Sequence, residues 1–317
     1  MSHRVCVYLG QELANYNFGP DHAFGPLRHR AFADEFHRQG LEQRVDVLSP
    51  VAGDESQLLS FHTAEYVAEV KAMSVHGQGV LDCGDTPAFP GMYEAALTVV
   101  GTTLDAVRRV IQGEYRRAFT PIAGLHHARR NAAAGFCIFN DCGIAIEQLR
   151  RRYQISRVAY VDIDAHHGDG VFYSFEDDPD LCFIDLHEDG RYLYPGSGAR
   201  EERGRGVARG TKLNIPMPPY AEDQNFFDAW QTAEEFLEQA NPEFILLQCG
   251  ADSIRGDPIT HMRYSTRTHA YAAARLCRLA DAMCDGRLVA MGGGGYEPAN
   301  LSSAWCAVIQ SLVENTG

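Results

Sequence analysis

The chain has little that would take it out of water. No run approaches the roughly 18 consecutive apolar residues of a membrane helix, so neither a membrane span nor a membrane partner is expected. The opening segment MSHRVCVYLGQEL lacks the long apolar stretch of a secretory signal, and the expectation is a cytoplasmic protein. Positive charge is scarce: 28 Lys and Arg stand against 42 Asp and Glu, a formal net charge of −14. Such a chain is a poor generic binder of phosphate backbones, so no nucleic-acid partner is expected. It favours solubility and steers cationic partners mildly. The nine cysteines contain no C-x-x-C pair, which argues against a zinc ribbon or a disulfide framework. Cys6, Cys182, Cys249 and Cys306 lie in apolar runs, the pattern of reduced, buried thiols. Internal repeats, low-complexity tracts and linkers are also missing, so the 317 residues read as a single domain, 1–317. A hydrophobic content of 45 % and a charged content of 22 % are ordinary for a globular chain.

What is present is alternation. Apolar runs of strand type occur at Arg4–Leu9, Ala118–Ile122, Val158–Val161, Leu181–Leu186, Phe244–Gln248 and Leu288–Met291. Helical periodicity fills 92–112, 141–152, 225–239 and 265–284. Strands alternating with helices predict an α/β fold with a mostly parallel sheet, and continuously apolar strands fit a sheet covered on both faces. The Gly- and Arg-rich stretch 197–211 reads as a surface loop. Ionisable residues gather just past the strand ends: His126 and His127, then Asp162, Asp164, His166 and His167, then His187 and Glu188, then Asp252 and Tyr296. In open α/β sheets that edge binds ligands.

Asp162-Ile-Asp164-Ala-His166-His167-Gly-Asp169 is the densest cluster. In an extended segment Asp164 and His166, two apart, point the same way and can reach one metal ion. Asp and His are ordinary zinc ligands, and a catalytic site needs a third protein ligand plus an open position; Asp252 is the natural third. The bland rival is a solvated polar turn. His126-His127 alone would read as a capped turn, but Asp162 and Asp169 are spare carboxylates. A carboxylate on one ring nitrogen fixes the tautomer and raises the basicity of the other, so two His–Asp pairs beside a metal would form a general acid/base site. Gly292-Gly-Gly-Gly-Tyr296 lacks the Lys-Ser/Thr of a phosphate loop. Its glycines would let the backbone turn closely beneath a site and offer the Tyr296 hydroxyl to a developing oxyanion; the rival is a tyrosine packed at a turn. No nucleophilic Ser or Cys elbow is present.

These motifs resemble the zinc-dependent histone deacetylase family, including its bacterial acetoin-utilisation-type members. The resemblance rests on Leu125-His126-His127-Ala128, Gly135-Phe136-Cys137-x-x-Asn140-Asp141, Asp162-x-Asp164-x-His166-His167-Gly168-Asp169-Gly170 and Gly292-Gly-Gly-Gly-Tyr296. Pro195-Gly196-x-Gly198, Asn214-Ile215-Pro216 and His22-x-x-x-Pro26-x-Arg28 add to it, so the matches run from about residue 16 to 306. The resemblance implies an arginase-like fold, Zn²⁺ on Asp164, His166 and Asp252, and His127 as the base for the attacking water, alone or in a shuttle with His126. It pairs Asp162 with His126 and Asp169 with His127, and puts Tyr296 on the substrate carbonyl. It makes Gly135 and Phe136 walls of a tunnel, Asp85 a rim carboxylate, and Tyr194, Ile259 and Gly294 further substrate-contacting positions. Arg28 would line a channel for released acetate. A structural K⁺ would lie near Asp162, Asp164, His166, Asp185 and Leu186.

Three positions depart from the family pattern. Tyr194 stands where many members have a Phe, which would shift acyl preference. Asp185 stands where a Ser often serves the monovalent ion. Ile259 stands where polyamine-specialised members carry a glutamate, which argues against a polyamine specialist. The expected function is removal of acetyl or short acyl groups from lysine side chains of proteins or peptides. Its rivals are an amidohydrolase for acetylpolyamines or other small acylated amines and a non-catalytic acyl-lysine binding module. A dimetal ureohydrolase is disfavoured, because Gly250-Ala-Asp252-Ser-Ile-Arg-Gly-Asp257 offers no Asp-x-Asp pair. An Asp₂His donor set also accepts Fe²⁺ or Co²⁺. Oligomeric state is not legible in the sequence.

Overall fold

Among the described residues, eight strands join in one sheet, and every pairing among them is parallel. They are β1 (Val5–Tyr8), β2 (Asp46–Leu48), β3 (Arg117–Thr120), β4 (Val158–Asp162), β5 (Leu181–Glu188), β6 (Lys212–Met217), β7 (Phe244–Gln248) and β8 (Leu288–Met291). The structure, a computed structural model, describes residues 4–315. The strand order is β2-β1-β3-β8-β7-β4-β5-β6. All residues of β1, β3, β4, β5, β7 and β8 are buried, which is why these strands read as unbroken apolar runs. The two outermost strands escape the sequence pattern. β2 has only three residues, and β6 carries Lys212, Asn214 and Pro216, tolerable because an edge strand leaves one side unpaired.

Ten α-helices are found among the described residues: α1 (Gln11–Ala14), α2 (Leu27–Arg38), α3 (Glu55–Leu58), α4 (Ala64–His76), α5 (Met92–Ile111), α6 (Asp141–Tyr153), α7 (Asp169–Ser174), α8 (Asp223–Ala240), α9 (Thr266–Met283) and α10 (Pro298–Glu314). The four predicted from periodicity are present as α5, α6, α8 and α9. On α5 the buried stripe Ala96, Val99, Val100, Thr103, Ala106, Val107, Val110 follows the helical repeat. Helices α2, α10, α9 and α8 pack side by side in one row, and α4, α5, α6 and α7 in another. None is long and apolar enough to cross a membrane.

Three local expectations change. Asp162, His187 and Glu188 lie inside β4 and β5, not past them. The segment 163–168 bends and does not continue as a strand. The cause is local: Asp162 Oδ1 accepts from the Asp164 amide and Asp164 Oδ1 from the His166 amide, at 3.0 and 2.9 Å. The 197–211 loop contains one 3₁₀ turn, Gly206–Ala208, which buries Ala208. Cys6, Cys182, Cys249 and Cys306 are buried, and of the nine free thiols only Cys83 is exposed. Burial pushes Cys6, Cys182 and Cys306 up to about 12, so these thiols stay protonated.

Candidate active site

Four adjacent strands, β3, β8, β7 and β4, feed one cluster at their C-terminal ends. His126 and His127 follow β3. Their loop is tied down by Asp141 at the start of α6, whose carboxylate accepts from the amides of Gly124 and Leu125 at 3.0 and 2.8 Å and from Thr103 Oγ1 at 2.8 Å. Asn140, the N-cap of α6, donates its side-chain amide to the carbonyls of His126 and Ala128 at 3.2 and 2.8 Å.

Both histidines meet carboxylates. His126 Nδ1 lies 2.8 Å from Asp162 Oδ2, His127 Nδ1 lies 2.7 Å from Asp169 Oδ1, and the two Nε2 atoms are 3.1 Å apart. Asp169 comes from the first turn of α7, and Arg129 reaches its other oxygen at 3.5 Å. Burial and the neighbouring His126 pull His127 down to about 4, against the pull of Asp169. A neutral imidazole with Nδ1–H directed at a carboxylate presents Nε2 as a base.

Asp164, His166 and Asp252 bring their ligand atoms within 4.8 Å of one another, all three buried. His166 Nδ1 is 3.1 Å from Asp164 Oδ1 and 3.0 Å from Asp252 Oδ2. Burial opposes an imidazolium at His166, but Asp164 and Asp252 outweigh it and hold its pKa well above the ordinary value. Burial and Asp164 push Asp252 up to about 7. Two buried carboxylates facing each other favour a positive charge between them. The backbone around them is shaped for close approach. A Cβ on Gly250 would lie 1.9 Å from Asp164 Oδ2, and one on Gly294 would lie 2.2 Å from Asp252 Oδ2. One oxygen of each carboxylate is already oriented: Gln248 Nε2 and the Gly294 amide each donate to Asp164 Oδ2 at 2.9 Å, and the Ala165 amide donates to Asp252 Oδ1 at 2.8 Å. Two carboxylates and one imidazole, neutral overall once a divalent cation sits among them, fit such an ion.

A cavity of about 260 Å³ opens onto this cluster, lined by Asp85, His127, Gly135, Phe136, His166, Leu193, Tyr194, Ile259 and Tyr296. Phe136 meets the Tyr296 ring edge-on at 5.6 Å, and Tyr194 meets His127 at 5.2 Å. Burial, with Asp252 and Asp164 near, holds the Tyr296 hydroxyl well above its ordinary pKa, so it remains a donor.

Comparison with known proteins decides the family. Residues 22–312 match the model of the histone deacetylase domain. The chain is similar to the acetoin utilization protein AcuC of Bacillus subtilis (strain 168), 38 % identical over 290 residues that span 89 % of this chain and 75 % of that protein. It is 32 % identical to AcuC of Staphylococcus xylosus over 95 % of this chain and 80 % of that protein. The crystal structure of the HDA15 HD domain superposes with a TM-score of 0.89 at 25 % identity, covering 99 % of this chain and 89 % of that one. The chain belongs to the histone deacetylase family. Its fold is the family's arginase-like fold, and membership makes this deacetylase a hydrolase that depends on a metal.

The remaining predicted positions of the deacetylase fall in distinct places. Asp85 is exposed at the cavity rim, in a loop organised by Asp82, which accepts from the amides of Gly84, Asp85 and Thr86. Gly294, expected to contact substrate, lies against the Asp164 and Asp252 carboxylates. Arg28 is buried beneath the glycine turn. It donates to the carbonyls of Gly295 and Gly293 at 2.8 and 2.6 Å, stacks 3.8 Å from the Phe24 ring, and keeps Nη1 without a protein partner. Asp185 is the register neighbour of Asp162, while Leu186 follows it in β5. The Asp185 carboxylate is engaged by His187 Nδ1 at 2.7 Å and by the Gly168 amide at 2.8 Å. Burial works against a charged His187, yet Asp185 prevails and raises its pKa.

Sequence reasoning assigned no role to Asp141, Gln248, Asp257 or Tyr160, whose hydroxyl donates to Asp162 Oδ2 at 2.7 Å. Asp141 entered only as part of a family motif; Gln248 and Tyr160 showed only as a polar residue bordering, or a hydroxyl within, an apolar run, and Asp257 gave no signal.

Proposed function

We propose that this chain is a zinc-dependent amidohydrolase that removes acetyl or short acyl groups from the ε-amino group of lysine in peptides or proteins. The observation that carries the reading is a cavity lined by His127, His166 and Tyr296, with Asp164 and Asp252 grouped around the same His166. The metal, when bound, polarises the amide carbonyl and lowers the pKa of water. Phe136, Leu193 and Tyr194 line the cavity around the aliphatic arm, with Ile259 at its mouth. Tyr296 donates its hydroxyl to the carbonyl oxygen as negative charge builds there. His127 Nε2 takes a proton as water adds to the carbonyl carbon, and Asp169 stabilises the imidazolium so formed. When the C–N bond breaks, that proton, passed directly or across the 3.1 Å contact with His126, neutralises the leaving amine. Asp162 would hold His126 in place, Asp85 would grip substrate at the rim, and Arg28 would face released acetate. Asp162, Asp164, His166, Asp185 and Leu186 would surround a structural K⁺.

The test is acyl release by the metal-loaded protein, with and without chelator, from acetyl- and longer acyl-lysine peptides and from acetylated polyamines. Chelator-sensitive release from peptides, lost in Tyr296→Phe and His127→Ala, supports the reading. Turnover confined to polyamines moves the substrate to small acylated amines. No turnover with metal bound removes the catalytic reading.

A further inference from the structure

The cavity wall that carries Ile259 is a short segment, Asp257–His261, pinned at three points. Asp257 Oδ1 accepts from the Ile259 amide at 3.1 Å and its Oδ2 from the Tyr296 amide at 2.8 Å. Thr260 Oγ1 donates to the carbonyl of Asp252. At the far end the backbone amide and Nδ1 of His261 reach Glu188 Oε2 and Oε1 at 2.9 and 2.7 Å. Glu188 closes β5, and its side chain is fully buried while that of His261 is 46 % exposed. The Glu188 amide in turn donates at 2.8 Å to the carbonyl of Ala165, the residue between Asp164 and His166. A carboxylate buried this deeply costs stability unless its oxygens are satisfied, and here both are spent on His261, two residues from Ile259. An acceptor-only carboxylate also requires the proton of His261 on Nδ1.

We propose that Glu188 and His261 are positioning residues that lock the Asp257–His261 segment to the metal-ligand loop, and so set how Ile259 meets the part of the substrate outside the cavity. Ile259 is 37 % exposed, which places it at the mouth, where a peptide backbone passes and a lone acylated side chain ends. The lock therefore favours acyl-lysine within a peptide over the same residue alone. This rests on the acyl-lysine reading above.

The experiment compares His261→Ala, His261→Asn and the wild-type chain, all metal-loaded, on an acetyl-lysine peptide and on a single blocked acetyl-lysine. His261 is half exposed, so the Ala variant is expected to fold, with metal content and melting temperature as controls. In His261→Ala the peptide KM rises while kcat changes little, and the peptide-to-single-residue ratio of kcat/KM falls about tenfold, the scale of one lost packing contact. His261→Asn, which can present a side-chain N–H near the position of Nδ1, restores most of the ratio. An unchanged ratio in His261→Ala overturns the lock, as does a loss in kcat alone. Absence of turnover by the wild-type chain on both substrates is a different failure: it removes the acyl-lysine reading, and the lock with it.

Discussion

Tyr296 shows how much one residue depends on its setting. Its amide is held by Asp257, its ring by Phe136 at 5.6 Å, and the Arg28 guanidinium lies 5.6 Å from its centroid. Removing only the hydroxyl leaves that packing in place. Tyr296→Phe is therefore expected to lower kcat by about 10²–10³-fold with little change in KM, the loss of one oxyanion donor; steady-state kinetics on an acetyl-lysine peptide check it. Gly294 makes the complementary point. A Cβ there would press to 2.2 Å from Asp252 Oδ2 and 2.8 Å from Asp164 Oδ2. Gly294→Ala should weaken metal affinity about 10–100-fold, as changes around first ligands do. Metal titration monitored by competition with a chelating dye would show it, and wild-type affinity in the variant would contradict it.

Among the elements, α5 contains a glycine that helix propensity would remove. Gly101 lies mid-helix, where alanine is ordinarily better by about 1 kcal/mol. Its Cβ, however, would lie 2.2 Å from the Gly53 amide nitrogen and 2.4 Å from the Val51 carbonyl oxygen. These are backbone atoms, which cannot swing aside. Overpacking should win: Gly101→Ala is expected to destabilise by about 1–3 kcal/mol, read as a lower denaturant midpoint with an unchanged slope. The helix itself was legible from its 3.6-residue stripe. The reason for its glycine was not, because the 51–53 segment that crosses it is remote in sequence.

For the molecule as a whole, buried neutral histidines set the response to acid. His62 accepts the Asn140 amide on Nε2 at 3.0 Å, and its Nδ1 lies 3.3 Å from the Arg130 carbonyl, so it carries one proton. Burial pulls its pKa down from 6.5 to about 3. Burial likewise pulls His127 and His167 to about 4. The unfolded chain binds these protons first, so the stability they contribute is fully present above pH 6.5 and lost as pH falls toward 4 and then 3. For His62 alone the loss is on the order of 3–5 kcal/mol. Thermal melts at about pH 7.5, 5.5 and 4.5, spanning the window that linkage defines, should show a steep fall in the wild-type chain and a shallower one in His62→Gln. Equal falls in both would remove His62 from the acid response.

What the sequence determined by itself was local. Apolar runs marked the six strands buried on both faces, because such burial requires continuous apolar residues. Spacing pointed to Asp164 and His166 as neighbours, although a bend, and not the expected extended segment, brings them together. The edge strands β2 and β6 were not legible, since an edge tolerates short length, lysine and proline. Only the tertiary structure decided that β7 and β8, late in the chain, insert between β3 and β4. That insertion carries Asp252 and Tyr296 to His127 and His166, and strand order depends on non-local packing that no local pattern records. The roles of Gln248, Asp257 and Glu188 were hidden for the same reason: none is legible until the partner the residue orients, far along the chain, lies within hydrogen-bond distance.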